Sequence, residues 1–328
     1  MIISKTPLRM SFVGGGSDLP AYYRQYGGAV LSVAIDKYVY VTINNKFDNR
    51  IRVSYSKTEE VSSVSEIEHK LVRESLKMLQ IKGGVEITTI ADIPSRGTGL
   101  GSSSCFTVGL LHVLHAYQHR YVSASQLGEQ SCQIEIDICG DPIGKQDQYA
   151  SAFGGFNFIK FNPDDSVDVQ PIICKKETLR ELEDNIIIFY SGIVRSASEL
   201  LKKQSANIAS DKKKQETMTR MVDLTYLLRD ELQKDNINAF GEILHENWLL
   251  KKEVNGDVSN PMIDEWYQKG LARGAIGGKI LGAGAGGFLM FYAPKEHHDT
   301  IANALSELRR IDIKFERAGS RIIFFHEN

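Results

Sequence analysis

Three glycines and three serines in one short stretch are the first residues whose types and spacing suit a defined chemistry. Gly97, Gly99 and Gly101 alternate with larger residues, and glycine lets the backbone adopt a positive φ and approach a ligand closely. Residues 102–104 are all serine and precede an apolar segment of helical character, which is the usual place for an N-cap hydroxyl. The N–H groups and the positive dipole end of such a helix attract an anion. The stretch is therefore a phosphate cradle in outline.

Two common nucleotide-binding loops do not match this stretch. No Lys-Ser or Lys-Thr pair follows the glycines, as a Walker A loop requires. Residues 92–94 separate the glycines from a preceding strand at 85–90, and no acidic residue follows about 20 positions on in a strand, so the Rossmann pattern is also excluded. The residues alone leave open a flexible turn that is merely capped by serine. A nucleotide bound here is held in some third way.

The rest of the sequence predicts strands and helices that position this stretch and that do not alternate strictly. Runs rich in Val, Ile, Tyr and Phe predict strands, and apolar residues at helical spacing predict helices. The predicted strands are 10–13, 29–35, 38–43, 51–55, 85–90, 156–161, 185–190, 288–292, 314–316 and 321–326. The predicted helices include 65–80, 104–119, 125–139 and 297–310, two helical faces at 218–232 and 237–248, and a helix capped by Asn260. Such a mixture predicts an α+β fold rather than a doubly wound sheet.

Length and composition are those of an ordinary globular protein with room for two domains. The chain has 328 residues, of which 42% are hydrophobic and 24% charged, and a net charge of −2. We expect no nucleic-acid partner and no membrane, because neither a basic balance nor a long apolar run is present. Because no leader precedes the patterned sequence and the four cysteines lack metal-type spacing, we expect free thiols in a cytoplasmic protein. A change of domain is expected within 165–185.

Four stretches taken together carry a family resemblance that none of them carries alone. They are 7–19 (PLRMSFVGGGSDL), the central stretch 94–114, 144–149 (GKQDQY) and 279–287 (KILGAGAGG). In this order they resemble the GHMP small-molecule kinases, such as galactokinase, homoserine kinase, mevalonate kinase and phosphomevalonate kinase, over essentially the whole chain. The resemblance implies two α+β domains, an N-terminal ATP-binding domain at 1–175 and a C-terminal domain at 176–328. It places the active site in the cleft between them.

The resemblance also implies how ATP is bound. Its phosphates lie in the central loop, in contact with Gly97, Thr98, Gly99, Leu100, Gly101, Ser102, Ser103 and Ser104. Four residues separate Pro94 from Gly99, where most of the superfamily has three. This difference leaves open which backbone amide meets which phosphate oxygen.

The metal and catalytic residues follow from the same resemblance. Ser103 and Glu135 match the family's ligands for Mg²⁺, with Asp137 as a competing ligand or both carboxylates merely solvated. Asp147 matches the catalytic aspartate that accepts the proton of the sugar hydroxyl. Arg9 matches a basic residue that favours ionised Asp147 and offsets charge on the moving phosphoryl group. The alternatives are a surface charge at Asp147 and a strand-edge cation at Arg9.

The substrate side is implied by two further matches. Asp18, with Gly16 and Ser17 before it, matches the position where sugar kinases of the family bind substrate hydroxyls. Gly284 and Ala285 belong to the loop that borders the substrate in the family, with a plain tight turn as the alternative.

Within the superfamily the pattern is most similar to the bacterial D-glycero-D-manno-heptose phosphate kinases. The supporting residues are 6–9, 14–18, 144–149 and 189–198, and Gly14-Gly15-Gly16 departs from the Gly-Glu-His of galactokinases. This group phosphorylates the anomeric hydroxyl of heptose 7-phosphate with ATP. The expected partner is thus a small sugar phosphate, with a homodimer left open, and its phosphate needs a second anion site. Arg195, with Lys145 and Arg96 beside it, is the predicted receptor, because arginine binds phosphate in a bidentate manner.

Two rival functions remain at this stage. One is an anomeric kinase of a non-phosphorylated sugar such as L-fucose, because the kinase portions of fucose-activating enzymes look similar. The other is a GHMP-type sugar sensor without catalysis, and the presence of Arg9, Ser103, Glu135 and Asp147 together argues against it.

Overall fold

Two β-sheets flanked by helices make up the computed structural model, which describes residues 1–93, 99–194 and 197–326. The strands, in chain order, are β1 Ile2–Val13, β2 Gly28–Asn45, β3 Ile51–Ser54, β4 Thr58–Val61, β5 Val85–Ala91, β6 Phe156–Phe161, β7 Val167–Pro171, β8 Ile186–Tyr190, β9 Gly277–Ile280, β10 Phe288–Tyr292, β11 Arg309–Ile311 and β12 Arg321–Phe325. The α-helices are α1 Pro20–Tyr26, α2 Lys70–Met78, α3 Ser102–Tyr117, α4 Ala124–Cys132, α5 Gln146–Phe153, α6 Lys176–Asp184, α7 Ala197–Ser210, α8 Lys212–Gln233, α9 Phe240–Val254, α10 Pro261–Leu271 and α11 His298–Ala304. The α+β class expected from the sequence is confirmed.

The larger sheet has the strand order β12-β1-β2-β5-β3-β4, with β6 and β7 attached through β2. The smaller sheet has the order β11-β8-β10-β9 and is antiparallel throughout its described pairs. Strand β12 comes from the end of the chain, yet it pairs with β1, so that Ile2 lies opposite Phe325. The division into 1–175 and 176–328 stays a prediction, and any version of it has to assign β12 to the first sheet.

The two longest strands carry the first glycine-rich stretch to the site. β1 is buried over most of its length and ends at Val13, directly before the glycines. β2 is one continuous strand of 18 residues, whereas the sequence predicted two strands with a break at 36–37. β2 passes this point without interruption, and its pairing with β1 instead shifts register between Pro7 and Arg9. This irregularity lies next to Arg9.

Helix α3 is the central helix of the core. Its residues are apolar nearly all round and most of them are buried, as the sequence predicted, and the helix packs on β1 and β2. The core continues from the first sheet to the C-terminal helices through Phe12, whose ring packs edge-on against Phe156 at 5.5 Å and Phe240 at 5.1 Å between centroids. The two halves of the chain therefore share one hydrophobic core around the cleft.

Several predicted elements end elsewhere in the structure. The helix predicted over 125–139 stops at Cys132 and continues as a π-helical turn, Gln133–Ile138. The helix predicted to reach residue 310 ends at Ala304, because Arg309–Ile311 joins β8 as an edge strand. The segment 314–316 forms only an isolated bridge from Phe315 to Ile35. Strand β9 was missed because two of its four residues are glycine.

None of the helices that the structure describes is both long and apolar enough to cross a bilayer.

Candidate active site

A cleft of about 220 Å³ is lined by residues from both halves of the chain. The described parts of all three glycine-rich stretches reach it, through Gly15, Gly16 and Asp18, through Gly99 and 101–104, and through 282–284 and Gly286. The remaining walls come from β1, α7, α9 and β9 and from five residues of the segment before and at the start of α5, namely Asp141, Ile143, Gly144, Gln146 and Asp147. The stretches that the sequence singled out are therefore brought together at one place.

Arg9 and Asp147 form an ion pair at the centre of this cleft. Arg9 Nε donates to Asp147 Oδ1 at 2.8 Å, and its Nη2 lies 2.6 Å from the same oxygen. The remaining terminal nitrogen, Nη1, donates to the carbonyl of Gly99 at 2.7 Å. The Arg9 side chain is buried, whereas that of Asp147 is 23% exposed, so the carboxylate keeps one side toward the cleft. One guanidinium thus ties the aspartate to the glycine-rich loop.

The central loop has the backbone conformation that its glycines suggested. Gly99 has a φ of +77° and Gly101 a φ of +73°, in the left-handed region that side chains disfavour. A Cβ atom on Gly101 would lie 3.0 Å from Asp147 Oδ2, so a side chain at this position would press on the carboxylate. Residues 94–98 lie outside the described residues, and so the predicted contacts of Gly97 and Thr98 with ATP are not seen.

The serines occupy a different place from the predicted one. The N-cap of α3 is Gly101, and Ser102, Ser103 and Ser104 form the first turn of the helix. The left-handed glycine turns the chain so sharply that the serines are already helical. The backbone N–H groups of Ser103 and Ser104 stand in the first turn, where no carbonyl of the helix precedes them, and Ser103 is exposed and lines the cleft. The anion-binding end of the helix therefore faces the cleft, although serine does not cap it.

Gly99 is needed for packing as well as for conformation. A Cβ atom on Gly99 would lie 2.3 Å from the carbonyl oxygen of Leu281, and one on Gly282 would lie 2.5 Å from the Cα of Gly99. The central loop and the loop at 281–287 thus touch through bare backbone. This contact explains why positions 99 and 282 are glycine.

Glu135 lies behind the first turn of α3, on the π-helical turn. Its Oε1 accepts a hydrogen bond from Thr107 Oγ1 at 2.8 Å and its Oε2 one from Gln148 Nε2 at 2.5 Å. The residue is 1% exposed and is not among the residues that line the cleft. Burial raises the pKa of its carboxyl to about 7, although hydrogen bonds from Ser104, Thr107 and Gln148 lower it. The side chain is poised close to the loop but is turned away from open space.

Asp18 and Gly16 also line the cleft. Asp18 is buried and accepts hydrogen bonds from the backbone N–H groups of Gly16 at 3.0 Å and Gln146 at 3.2 Å. Burial raises its pKa, and the charge of Asp147 adds to the effect. Gly144 is required here, because a Cβ atom on it would lie 1.9 Å from Asp18 Oδ2.

Ser17 differs from its neighbours. Its hydroxyl both donates to the carbonyl of Ala29 and accepts from the N–H of Ala29, each at 3.0 Å, and the residue is fully buried. The side chain is therefore occupied by β2, and the predicted substrate contact of Ser17 finds no support in these bonds.

The other predicted substrate contacts are spread over two loops. Gly284 lines the cleft, whereas Ala285 is buried and its N–H donates to the carbonyl of Val258 at 2.7 Å. Arg195 lies outside the described residues, and so does Arg96. Lys145 was predicted to bind the sugar phosphate together with these arginines, but its ammonium pairs with Asp165 at 3.2 Å on another face of the protein. Lys145 is therefore not a cation of this cleft.

Four polar side chains of the cleft were given no role by the sequence, although Lys279 and Gln146 lie inside the quoted stretches. Lys279 is buried, and its Nζ donates to the carbonyls of Ser11 and Phe12 at 2.9 Å each. Lys251 is buried, and its Nζ donates to the carbonyl of Gly282 at 2.5 Å. Gln204 Nε2 and Gln146 Oε1 are buried without a hydrogen-bond partner among the described residues.

One signal in the sequence did point to Lys251. The apolar face at Phe240, Leu244 and Trp248 continues at helical spacing to position 251. A lysine on the buried face of a helix needs a reason, because lysine is seldom fully buried without a partner.

The cleft therefore has the parts that a phosphoryl transfer requires: an anion-binding helix end, a carboxylate beside it and several buried cations. Two family models match the sequence, the GHMP kinase N-terminal domain over residues 65–155 and the GHMP kinase C-terminal domain over residues 228–310. The chain belongs to the GHMP kinases.

Curated and solved relatives extend over nearly the whole chain. The D-glycero-alpha-D-manno-heptose 7-phosphate kinase of Campylobacter jejuni is 28% identical and covers 97% of both chains. The crystal structure of a D-glycero-D-manno-heptose 1-phosphate kinase from Bacteroides thetaiotaomicron is 27% identical, covers 100% of both chains and has a TM-score of 0.81. The bifunctional fucokinase/GDP-fucose pyrophosphorylase of Arabidopsis thaliana is 25% identical over 94% of this chain and 31% of its own length. The protein is an ATP-dependent kinase of the sugar-kinase type.

Proposed function

We propose that this kinase transfers the γ-phosphoryl group of ATP to the anomeric hydroxyl of D-glycero-D-manno-heptose 7-phosphate. The product is the 1,7-bisphosphate, an intermediate for nucleotide-activated heptose. The observation that carries the proposal is the Arg9–Asp147 pair beside Gly99 and Gly101, because it sets a carboxylate against a phosphate loop. The similarity to the Campylobacter jejuni enzyme supports the choice of sugar.

Asp147 is the proposed general base. As the anomeric oxygen attacks the γ-phosphorus, its proton passes to Asp147, the new O–P bond forms and the bond from phosphorus to the ADP oxygen breaks. Arg9 orients the carboxylate through two contacts to Oδ1, which leaves Oδ2 for the proton. Its positive charge also offsets the charge that builds up on the phosphoryl oxygens.

The loop and helix end fit the phosphates of ATP. The first turn of α3 presents backbone N–H groups to the cleft, and the bare Cα atoms of Gly99 and Gly101 allow close approach. Gly97, Thr98, Leu100 and the three serines complete the proposed nucleotide contacts.

Ser103 and Glu135 are oxygen donors of the kind that Mg²⁺ prefers, and kinases hold this metal by one or two carboxylates together with the phosphates. Ser103 lines the cleft, whereas Glu135 would have to turn from Thr107 and Gln148 toward it. Ser103 and Glu135 are the proposed ligands, and the metal would neutralise charge on the phosphates. No group of three or more His, Cys, Asp and Glu side chains arranged for a metal occurs within 1–93, 99–194 and 197–326. The phosphates of ATP and water therefore have to supply the remaining ligands.

The hydroxyls of the sugar are proposed to meet Asp18 and Gln204. Gln204 lies on α7, is 1% exposed and keeps its Nε2 unpaired next to Gly16, among the residues that the structure describes. A buried amide without a partner is costly, at about 1–3 kcal/mol. A sugar hydroxyl that accepts from Gln204 removes this penalty. Gly16 and the loop at 284–285 border the same space.

The alternative is an anomeric kinase of a non-phosphorylated sugar such as L-fucose. In the described part of the chain Arg9 is the one arginine that lines the cleft, and Asp147 and Gly99 occupy it. A receptor for a second phosphate then depends on Arg195 or on a lysine. The similarity to the Arabidopsis thaliana fucokinase/GDP-fucose pyrophosphorylase is the reason for naming L-fucose as the sugar of this alternative.

The localisation and the domain bounds of the protein are proposals as well. We propose a cytoplasmic enzyme with an N-terminal domain at 1–175 and a C-terminal domain at 176–328, and a homodimer is left open.

A coupled assay of ADP release tests the substrate. The purified protein is supplied with MgATP and, in turn, with heptose 7-phosphate, the non-phosphorylated heptose, L-fucose, galactose, mannose and fructose. The proposal expects the highest kcat/KM with heptose 7-phosphate. A higher value with L-fucose or another non-phosphorylated sugar would replace it by the alternative.

A further inference from the structure

Lys251 is a buried cation of the cleft that the reaction described above does not use. It stands near the end of α9, is 3% exposed and lines the cleft. Its one hydrogen bond to described residues goes to the carbonyl of Gly282 at 2.5 Å. An ammonium group carries three N–H donors, so two remain.

No carboxylate among the described residues lies within ion-pair distance of this ammonium. A buried charge without a partner is unfavourable, and proteins keep such charges mainly where a partner or ligand completes them. Burial lowers the pKa of Lys251 to about 8, while Asp18 opposes this effect and Arg9 adds to it. The group is therefore mostly charged at neutral pH although its surroundings disfavour the charge.

The position of Lys251 points to the kind of partner that it lacks. The carbonyl that it holds belongs to Gly282, which touches Gly99 of the central loop. Arg9 holds the carbonyl of Gly99 from its own side. Lys251 therefore lies next to the point where the phosphate loop and the C-terminal loop meet.

The other two cations of this region are already engaged. Asp147 neutralises Arg9. Lys279 gives two of its three N–H donors to backbone carbonyls, and burial holds its pKa well below the usual value. Of the two described lysines that line the cleft, Lys251 has more donors left for a ligand, and unlike Arg9 it has no carboxylate partner among the described residues.

We propose that Lys251 is a phosphate-binding residue of the cleft. The inference rests on the proposed kinase reaction, which offers two sources of the same chemistry: the γ-phosphate of ATP and the phosphate already carried by the sugar. A compact ammonium with two remaining donors suits phosphate oxygens from either source. The hydrogen bond to Gly282 fixes the ammonium so that it does not have to be ordered when the phosphate arrives.

Two substitutions of Lys251 test the inference. Lys251→Met removes the charge and keeps much of the apolar stem, and Lys251→Gln removes the charge but keeps a donor for the Gly282 carbonyl. The glutamine variant carries the test if the methionine variant does not fold. Lys252→Met is the matched control, because Lys252 is the next residue on α9 but pairs with Asp264 at 3.2 Å and does not line the cleft.

Isothermal titration calorimetry compares ligands that differ by one phosphate. The pairs are ADP with a non-hydrolysable ATP analogue, both with Mg²⁺, and heptose with heptose 7-phosphate. If the γ-phosphate is the ligand, the variants lose roughly tenfold or more of the affinity for the analogue and little of that for ADP. If the sugar phosphate is the ligand, they lose the same factor for heptose 7-phosphate and little for heptose. The Lys252→Met control binds all four like the wild type.

Two results would overturn the inference. Unchanged affinity for all four ligands, or an equal loss for both members of each pair, would mean that Lys251 only holds the Gly282 loop. The nucleotide pair keeps this test separate from the sugar assignment. If the wild type acts only on a non-phosphorylated sugar, the proposed substrate is wrong, while the comparison of ADP with the ATP analogue still decides the role of Lys251.

Discussion

Glu135→Gln should make the protein more stable at neutral and alkaline pH while it removes a proposed ligand of Mg²⁺. Burial raises the pKa of Glu135 from 4.5 to about 7. Between these pH values the folded protein keeps a proton that the unfolded chain has lost, so this carboxyl lowers stability as the pH rises. The penalty is absent below pH 4.5, grows through the window and is constant above about pH 7. At 1.36 kcal/mol per pH unit, the full penalty is about 3 kcal/mol.

The surroundings of Glu135 can accept glutamine. Gln148 donates to Glu135 through Nε2, and its own Oε1 is buried without a hydrogen-bond partner among the described residues. A flip of the Gln148 amide would therefore present an acceptor to the new NH₂ group. The substitution therefore removes the charge without leaving the new amide group without a hydrogen-bond partner.

The assay is guanidinium unfolding of the wild type and Glu135→Gln at pH 5, 6, 7 and 8, with EDTA present. The free energy of unfolding of the wild type should fall relative to the variant by about 2–3 kcal/mol between pH 5 and pH 8. Glu129→Gln, an exposed carboxylate on α4, is the control for the loss of a negative charge. Parallel profiles for the wild type and Glu135→Gln would refute the reasoning. The same variant should lose most Mg²⁺-dependent turnover, and full activity would exclude the ligand role.

Four further substitutions probe the other parts of the site. Asp147→Asn should keep ATP binding and lower kcat by about 10²–10⁴-fold; turnover above half of the wild-type rate would exclude the general base. Gly101→Ala should lower kcat/KM, since the new methyl group would lie 3.0 Å from Asp147 Oδ2. Gly192→Ala is the control for backbone strain, because Gly192 has the same φ of +73° and an added Cβ there would have nothing within 4 Å. Arg195→Ala should raise KM for heptose 7-phosphate by roughly ten- to over a hundredfold and hardly change that for ATP; an equal effect on the non-phosphorylated sugar would remove it as the phosphate receptor. Gln204→Leu should raise KM for the sugar and not that for ATP, and steady-state kinetics with each substrate varied in turn would expose the opposite pattern.

Local sequence was enough to predict those parts of the protein that depend on local chemistry. Strands such as β6 and β8 follow from short runs of apolar residues bounded by turn residues. The glycines of the central loop predicted an anion-binding turn before a buried helix, and Gly99 and Gly101 do adopt the positive φ that only glycine tolerates well. These features are decided within a few residues of chain.

Other features depend on partners far away in the sequence, and there prediction from the residues failed. The break expected inside β2 is absent because β1 pairs with β2 on both sides of residues 36–37, with only a shift of register between. The edge strand Arg309–Ile311 exists because β8 offers free hydrogen-bonding groups to it. Asp147, 138 positions from Arg9, meets it only through the packing of α5 near β1.

The electrostatics of the site was also decided by the tertiary structure. Helical spacing places Lys251 on the buried face of α9 and Lys252 off it, but only the fold shows that Lys251 lines the cleft while Lys252 pairs with Asp264. Likewise, Glu135 has its raised pKa because α3 and α5 cover the π-helical turn that carries it. Sequence by itself determined which chemical groups are present and where the backbone can bend. Only the fold decided which of those groups lose water, because desolvation depends on every element packed around a side chain.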